Sequence, residues 1–208
     1  VARDAAFCFY YRENLEMLEA LGAETVSFSP LRDDILPDNV AGVYLGGGYP
    51  EIHAKALSKN ASMRRSIARA VRGGMPVLAE CGGFLYLQDT LQDHDGSAHP
   101  MCGAIPGHGL KGERLGRFGY IEMSARVDGL LGPAGTCLRG HEFHYWNSSD
   151  CGDAFRAEKA SGGAGWPCGH SSPTLLAGFP HLYFWSNPDA ARSFVSAAAR
   201  YRIGGGKA

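Results

Sequence analysis

The chain has 208 residues, 45% of them hydrophobic, with 20 Lys and Arg against 21 Asp and Glu, so its net charge is -1. No basic excess is available to hold a phosphate backbone, which argues against nucleic acid as a partner. No apolar run approaches the roughly 18 residues a membrane span needs, and the first residues lack the basic and apolar regions of a leader, so a cytoplasmic protein is expected. Six cysteines, Cys8, Cys81, Cys102, Cys137, Cys151 and Cys168, form no C-x-x-C pair, and reduced thiols are expected. The 29 glycines are roughly twice the usual share, so much of this backbone must turn tightly or approach something closely.

Residues 1–3 read as a strand already under way, and the chain is expected to be the C-terminal part of a longer one. Residues 12–22 place Leu15, Leu18 and Leu21 at helical spacing and stop at Gly22. Residues 25–28 read as a short strand, and residues 40–45 as a second apolar one that ends in three glycines. A helix opens at Ser62, with Met63, Ile67, Ala70 and Val71 on its buried face. Residues 76–79 return to strand and residues 82–91 to helix. This alternation predicts a parallel sheet covered on both faces.

From residue 101 to about 159 the pattern changes. The candidate strands 120–127, 138–146 and 154–158 are separated by turns rather than helices, which predicts an antiparallel extension. Residues 161–173 hold four glycines and read as a long loop. Residues 175–179 form the next strand. Asn187, Pro188 and Asp189 supply the cap, first-turn proline and acid of a last helix, buried through Ala191, Phe194, Val195 and Ala198. The glycines at 204–206 read as a frayed end. Residues 1–208 are expected to form one domain.

Three constellations point to chemistry. In Pro76-Val77-Leu78-Ala79-Glu80-Cys81-Gly82-Gly83 a buried strand runs into a helix through a cysteine with small neighbours. That is the layout of a nucleophile elbow, in which a strained residue projects its side chain at the sheet's edge. The helix N-terminus is expected to favour the thiolate, and the Gly82 amide to face a developing oxyanion. A thiol nucleophile needs a base, and His181, at a strand end one hundred residues after Cys81, fits best; His53 and His108 rank lower. Gly46-Gly47-Gly48-Tyr49-Pro50-Glu51 lets amides approach a ligand after a strand and is not a nucleotide P-loop. His141-Glu142-Phe143-His144 invites a metal reading, but strand residues three apart face opposite sides, so no metal site is expected.

GGGYPE at 46–51, ECGGFLYL at 80–87, RGHEFHY at 139–145 and AGFPHLYFWSNP at 177–188 together resemble, in order and over nearly the whole chain, the glutamine amidotransferase domain of the cobyrinic acid a,c-diamide synthase family. The resemblance implies an α/β, three-layer flavodoxin-like fold of the class I glutamine amidotransferase type, with a mostly parallel sheet and an antiparallel extension. It implies that Cys81 forms a glutamyl thioester, that His181 serves as base and then acid, and that Gly47, Gly48 and Gly82 hold glutamine and its oxyanion. L-glutamine would be hydrolysed to supply ammonia for a,c-diamidation of cobyrinic acid in cobalamin biosynthesis. The implied partner is an N-terminal ATP-dependent synthetase domain. ATP and Mg belong there, no cofactor is expected in this domain, and a homodimer of the full enzyme is a further expectation.

One position departs from the pattern. Class I glutaminases commonly carry Glu two residues after the histidine, and here that residue is Tyr183. Glu51, Glu80 and Glu142 are the candidate substitutes, and a plain Cys-His dyad is the remaining option. Three alternative readings stand beside the first: the same role in a sister enzyme acting on a tetrapyrrole such as nickel-sirohydrochlorin, a Cys-His hydrolase on the same fold, and a catalytically weak docking module.

Overall fold

The computed structural model describes residues 1–205. Its elements in chain order begin with α1 (Arg12–Ala20), β1 (Val43–Leu45), α2 (Ala54–Lys59), α3 (Ala61–Arg72), β2 (Val77–Glu80), α4 (Gly82–Leu87), β3 (Thr90–Gln92), β4 (Ala98–Pro100) and β5 (His108–Leu110). They continue with β6 (Arg117–Ala125), β7 (Cys137–His144), β8 (Asn147–Ser148), β9 (Phe155–Lys159), β10 (Trp166–Cys168), β11 (His170–Ser172), β12 (Leu175–Gly178), β13 (His181–Tyr183), a 3₁₀ turn (Phe184–Ser186) and α5 (Pro188–Ile203).

The central sheet has the order β1-β2-β12-β11, parallel except for β11. Every residue of β1, β2 and β12 is buried, as expected of parallel strands covered on both sides. Their alternating side chains build two cores. Val43, Leu45, Val77, Ala79, Leu175 and Ala177 pack with residues of α2, α3 and α4, whereas Tyr44, Leu78 and Leu176 pack with α1, α5 and strands β6, β7 and β9. The second group belongs to a five-stranded sheet, β10-β9-β6-β7-β13, antiparallel throughout. A small third sheet, β4-β3-β5-β8, lies beyond α4.

Several boundaries differ from the sequence reading for identifiable reasons. The expected strands at 1–3 and 25–28 reduce to one parallel bridge, Ala2 with Phe28, beside Tyr44, whose carbonyl accepts from the Ala2 amide. The Asp4 carboxylate turns the chain away there by accepting from the amides of Ala6, Phe7 and Leu31. The helix expected over 82–91 stops at Leu87, because the fully buried Gln88 leaves helical geometry and donates through Nε2 to the Ser148 hydroxyl and the Asp150 carbonyl. The loop expected over 161–173 contains β10 and β11, three-residue strands too short to show a periodic pattern, paired antiparallel with the neighbouring β9 and β12. α3 starts one residue early under an Asn60 side-chain cap, and the separate α2 precedes it. Asn187 precedes α5 but donates its side-chain amide to the Cys137 carbonyl instead of capping. Gly204 and Gly205 form a turn after α5, and Gly206 lies outside the described residues.

No helix among the described residues is long and apolar enough to cross a membrane.

Candidate active site

β2 ends in Glu80 and hands the chain to α4 through Cys81, whose backbone sits at φ 49° and ψ -101°. That is a costly conformation for a residue with a Cβ. The neighbouring strand holds it, since the Cys81 amide donates to the Gly178 carbonyl at 2.8 Å. The small residues after it are required by space. A Cβ on Gly83 would strike the Leu45 carbonyl, and one on Gly82 would come within 2.9 Å of Pro50 Cδ and 3.2 Å of the Gly48 nitrogen. Gly48 itself has φ 155°, and a Cβ there would strike the Ala6 carbonyl. The elbow after β2 and the glycine turn after β1 therefore meet, bringing the Gly48 and Gly82 backbones together.

His181 reaches the same place from the other sheet. It opens β13, in register with His141 of β7, and its ring is buried with Phe9 at its edge, 4.6 Å between centroids. Gly47 lies directly beneath that ring, where a Cβ would strike Cε1. The strand is pinned by Asn14 of α1, which donates to the Leu182 carbonyl at 2.7 Å and accepts from the Phe184 amide at 2.9 Å. Cys81, Gly48, Gly82 and His181 all line one cavity of about 250 Å³, with Glu51, Phe9, His141 and Phe143 among the other walls. That is below the roughly 300–1,000 Å³ typical of drug-sized ligands and suits a molecule as small as an amino acid.

Glu80 lies behind the cavity. Its carboxylate accepts from the Leu182 amide at 3.1 Å and the Tyr44 hydroxyl at 2.9 Å, and its Oε2 stands 4.0 Å from His181 Nδ1. Glu51 is the carboxylate on the cavity wall. Glu142 is buried on β7 with Arg117 4.0 Å away. Tyr183 points out of the site, exposed beside Tyr11. His53 precedes α2 and His108 binds Thr90, and neither is on the cavity wall. His144 is buried and stacks on Phe179, while His141 sits against Phe118 and Tyr120. Among the described residues no three His, Cys, Asp or Glu side chains are placed to hold a metal ion. All six cysteines are free thiols.

Burial dominates the electrostatics. It pushes the Cys81 thiol up to about 12, reinforced by the Glu51 carboxylate and opposed by the Gly82 amide. The expected thiolate is thus corrected: one amide at the start of a six-residue helix is outweighed by the loss of water around the sulfur. Burial lowers His181 to about 4, helped by His141 and His144, so the ring is neutral at pH 7 and free to accept a proton. Burial raises Glu80 to about 8 against the two hydrogen bonds it accepts. A thiol on an elbow, a neutral imidazole in the same cavity and two adjoining glycine amides form a set suited to acyl transfer from an amide. Sequence reasoning missed Phe9, Asn14 and Tyr44, which act through packing and hydrogen bonds that carry no motif.

Comparison with solved structures places the fold among the glutamine amidotransferases. A structure described as a glutamine amidotransferase superimposes with a TM-score of 0.59 at 16% identity, covering 90% of this chain and 93% of that one. PurLQS from Thermotoga maritima superimposes with a TM-score of 0.62 at 15% identity, covering 96% of each chain. Residues 1–188 match the CobB/CobQ-like glutamine amidotransferase domain, and the chain belongs to that family. Among curated relatives, the cobyrinate a,c-diamide synthase of Dehalococcoides mccartyi strain 195 is 42% identical over 201 residues, covering 94% of this chain and 43% of the relative. That of Salmonella typhimurium LT2 is 40% identical over 204 residues, covering 96% and 44%. The chain thus spans less than half the length of the curated relatives it matches.

Proposed function

We propose that this chain is the glutaminase half of an ATP-dependent amidotransferase, hydrolysing L-glutamine at Cys81 and supplying ammonia for a,c-diamidation of cobyrinic acid in cobalamin biosynthesis. The observation that carries the reading is the Cys81 elbow facing a cavity that His181 also lines, in a chain about 40% identical to cobyrinate a,c-diamide synthases. Sγ attacks the glutamine side-chain carbonyl as its proton passes to His181, and the Gly48 and Gly82 amides receive the oxyanion. The imidazolium returns the proton to the leaving ammonia. Water, deprotonated by the same ring, then releases glutamate from the thioester. Glu51, on the wall, is the acid available to the substrate's ammonium. The partner this reading requires is an ATP-using synthetase domain, where ATP and Mg would act. The test is glutamate release from glutamine by the full-length protein, and a protein that makes no glutamate overturns the reading.

Gly47 gives a local check. Gly47→Ala places a methyl where His181 Cε1 now lies, so the ring must shift. Displacements of about 1 Å can cost about 100-fold in rate, and a loss of that order in glutamine hydrolysis is expected without a matching fall in thermal stability. Steady-state kinetics beside a melting curve check it, and unchanged turnover would mean that His181 does not work from this position.

A further inference from the structure

His181 Nδ1 is buried and finds no hydrogen-bond partner among the described residues, an expensive state for a ring nitrogen in an enclosed site. The carboxylate facing it is Glu80, whose Oε2 is 4.0 Å away. Glu80 is held for the task on two sides. Its Oε1 accepts from the amide of Leu182, the residue next to His181, and its Oε2 accepts from the buried Tyr44 hydroxyl. The sequence left three acids open, and the structure separates them. Glu51 stands on the cavity wall, Glu142 has Arg117 as its charged neighbour, and Tyr183 turns outward.

With His181 taken as the base of the reaction read above, we propose that Glu80 is its positioning residue: in its ionised form the carboxylate accepts the Nδ1 proton, leaves Nε2 for the Cys81 thiol, and supplies the counter-charge when Nε2 takes the thiol proton. Separations of this kind shorten to a hydrogen bond when the ring becomes charged, and one acid of this type fixes both ring orientation and tautomer. The placement is economical in sequence, since the residue before the nucleophile orients the base. The same contact couples the elbow to β13 through Leu182. The other titratable groups facing this pair are Tyr44 on β1, Tyr10 and Tyr11 ahead of α1, Cys81, and His141 and His144 on β7.

The experiment uses full-length protein with ¹⁵N-labelled histidine, as wild type, Glu80→Gln and Glu80→Asp, and reads both the ring nitrogens of His181 and glutamine kinetics. In the wild type above pH 8, where Glu80 is ionised, His181 is expected to carry its neutral-state proton on Nδ1. Glu80→Gln is expected to remove the rise in kcat with pH that ionisation of Glu80 gives the wild type near pH 8. It should also reduce kcat for glutamine hydrolysis by about 100-fold, within the roughly 10⁴-fold that loss of an orienting acid costs a serine triad. KM is expected to stay unchanged, because Glu80 is off the cavity wall. Glu80→Asp, which keeps the charge, is expected to recover part of kcat. A wild-type ring protonated on Nε2 with a bare Nδ1 above pH 8 overturns the proposal even if Glu80→Gln does not fold. An unchanged pH profile and kcat in a folded Glu80→Gln overturn it as well. Failure of the wild type to hydrolyse glutamine would instead overturn the glutaminase reading, with the nitrogen spectra still deciding the role of Glu80.

Discussion

Cys81→Ser is expected to abolish glutamine-dependent synthesis in the full-length protein while leaving synthesis from free ammonia intact. Serine fits the same elbow with the same branching, so the backbone at φ 49° and the amide bond to Gly178 are retained. The nucleophile is what disappears. A hydroxyl is far less acidic and a weaker nucleophile than a thiol, and the site is built around the larger sulfur. The expected loss in glutamine hydrolysis is on the order of 10⁴-fold or more. Glutamate release and ammonia-driven product formation, measured side by side with a circular dichroism spectrum, check it. Loss of both activities in a folded variant would show that the two half-reactions are not divided as proposed.

His181→Ala carries the second large effect. General acid-base groups contribute roughly 100- to 10,000-fold, and His181 serves twice, in forming and in hydrolysing the thioester. A fall in kcat within that range is expected, measured as glutamate release at saturating glutamine. Its burial and the neighbouring His141 and His144 hold the ring neutral at pH 7, so it enters the reaction as a base without first shedding a proton. A loss of only twofold would assign the base to another residue, and His141, on the same cavity wall, would be the next to test.

The parts of this fold visible in the sequence are those whose cause is local. The buried runs of β1, β2 and β12, the left-handed Gly22 after α1 and the small residues around Cys81 each answer a constraint acting within a few positions. That Cys81 and His181 line one cavity was legible for a similar reason, because each lies just past the C-terminal end of a parallel strand, β2 and β12, although His181 itself opens β13. What escaped depends on pairing partners rather than on a periodic local pattern. β10 and β11 exist because β9 and β12 offer them free edges, and α4 ends where it does because Gln88 finds Ser148 and Asp150 across the chain. The choice among Glu51, Glu80 and Glu142 was likewise beyond the sequence. All three are acids near a motif, and only the direction of each carboxylate separates them.

The elbow also sets stability against chemistry at a single position. A side chain held at φ 49° costs on the order of 1–3 kcal/mol, a strain glycine would not feel. Residue 81 is therefore a place where a more stable protein lies one substitution away and is inert. Selection for robustness alone would drift toward it, so a cysteine kept in this conformation is bought with part of a native margin of only about 5–15 kcal/mol.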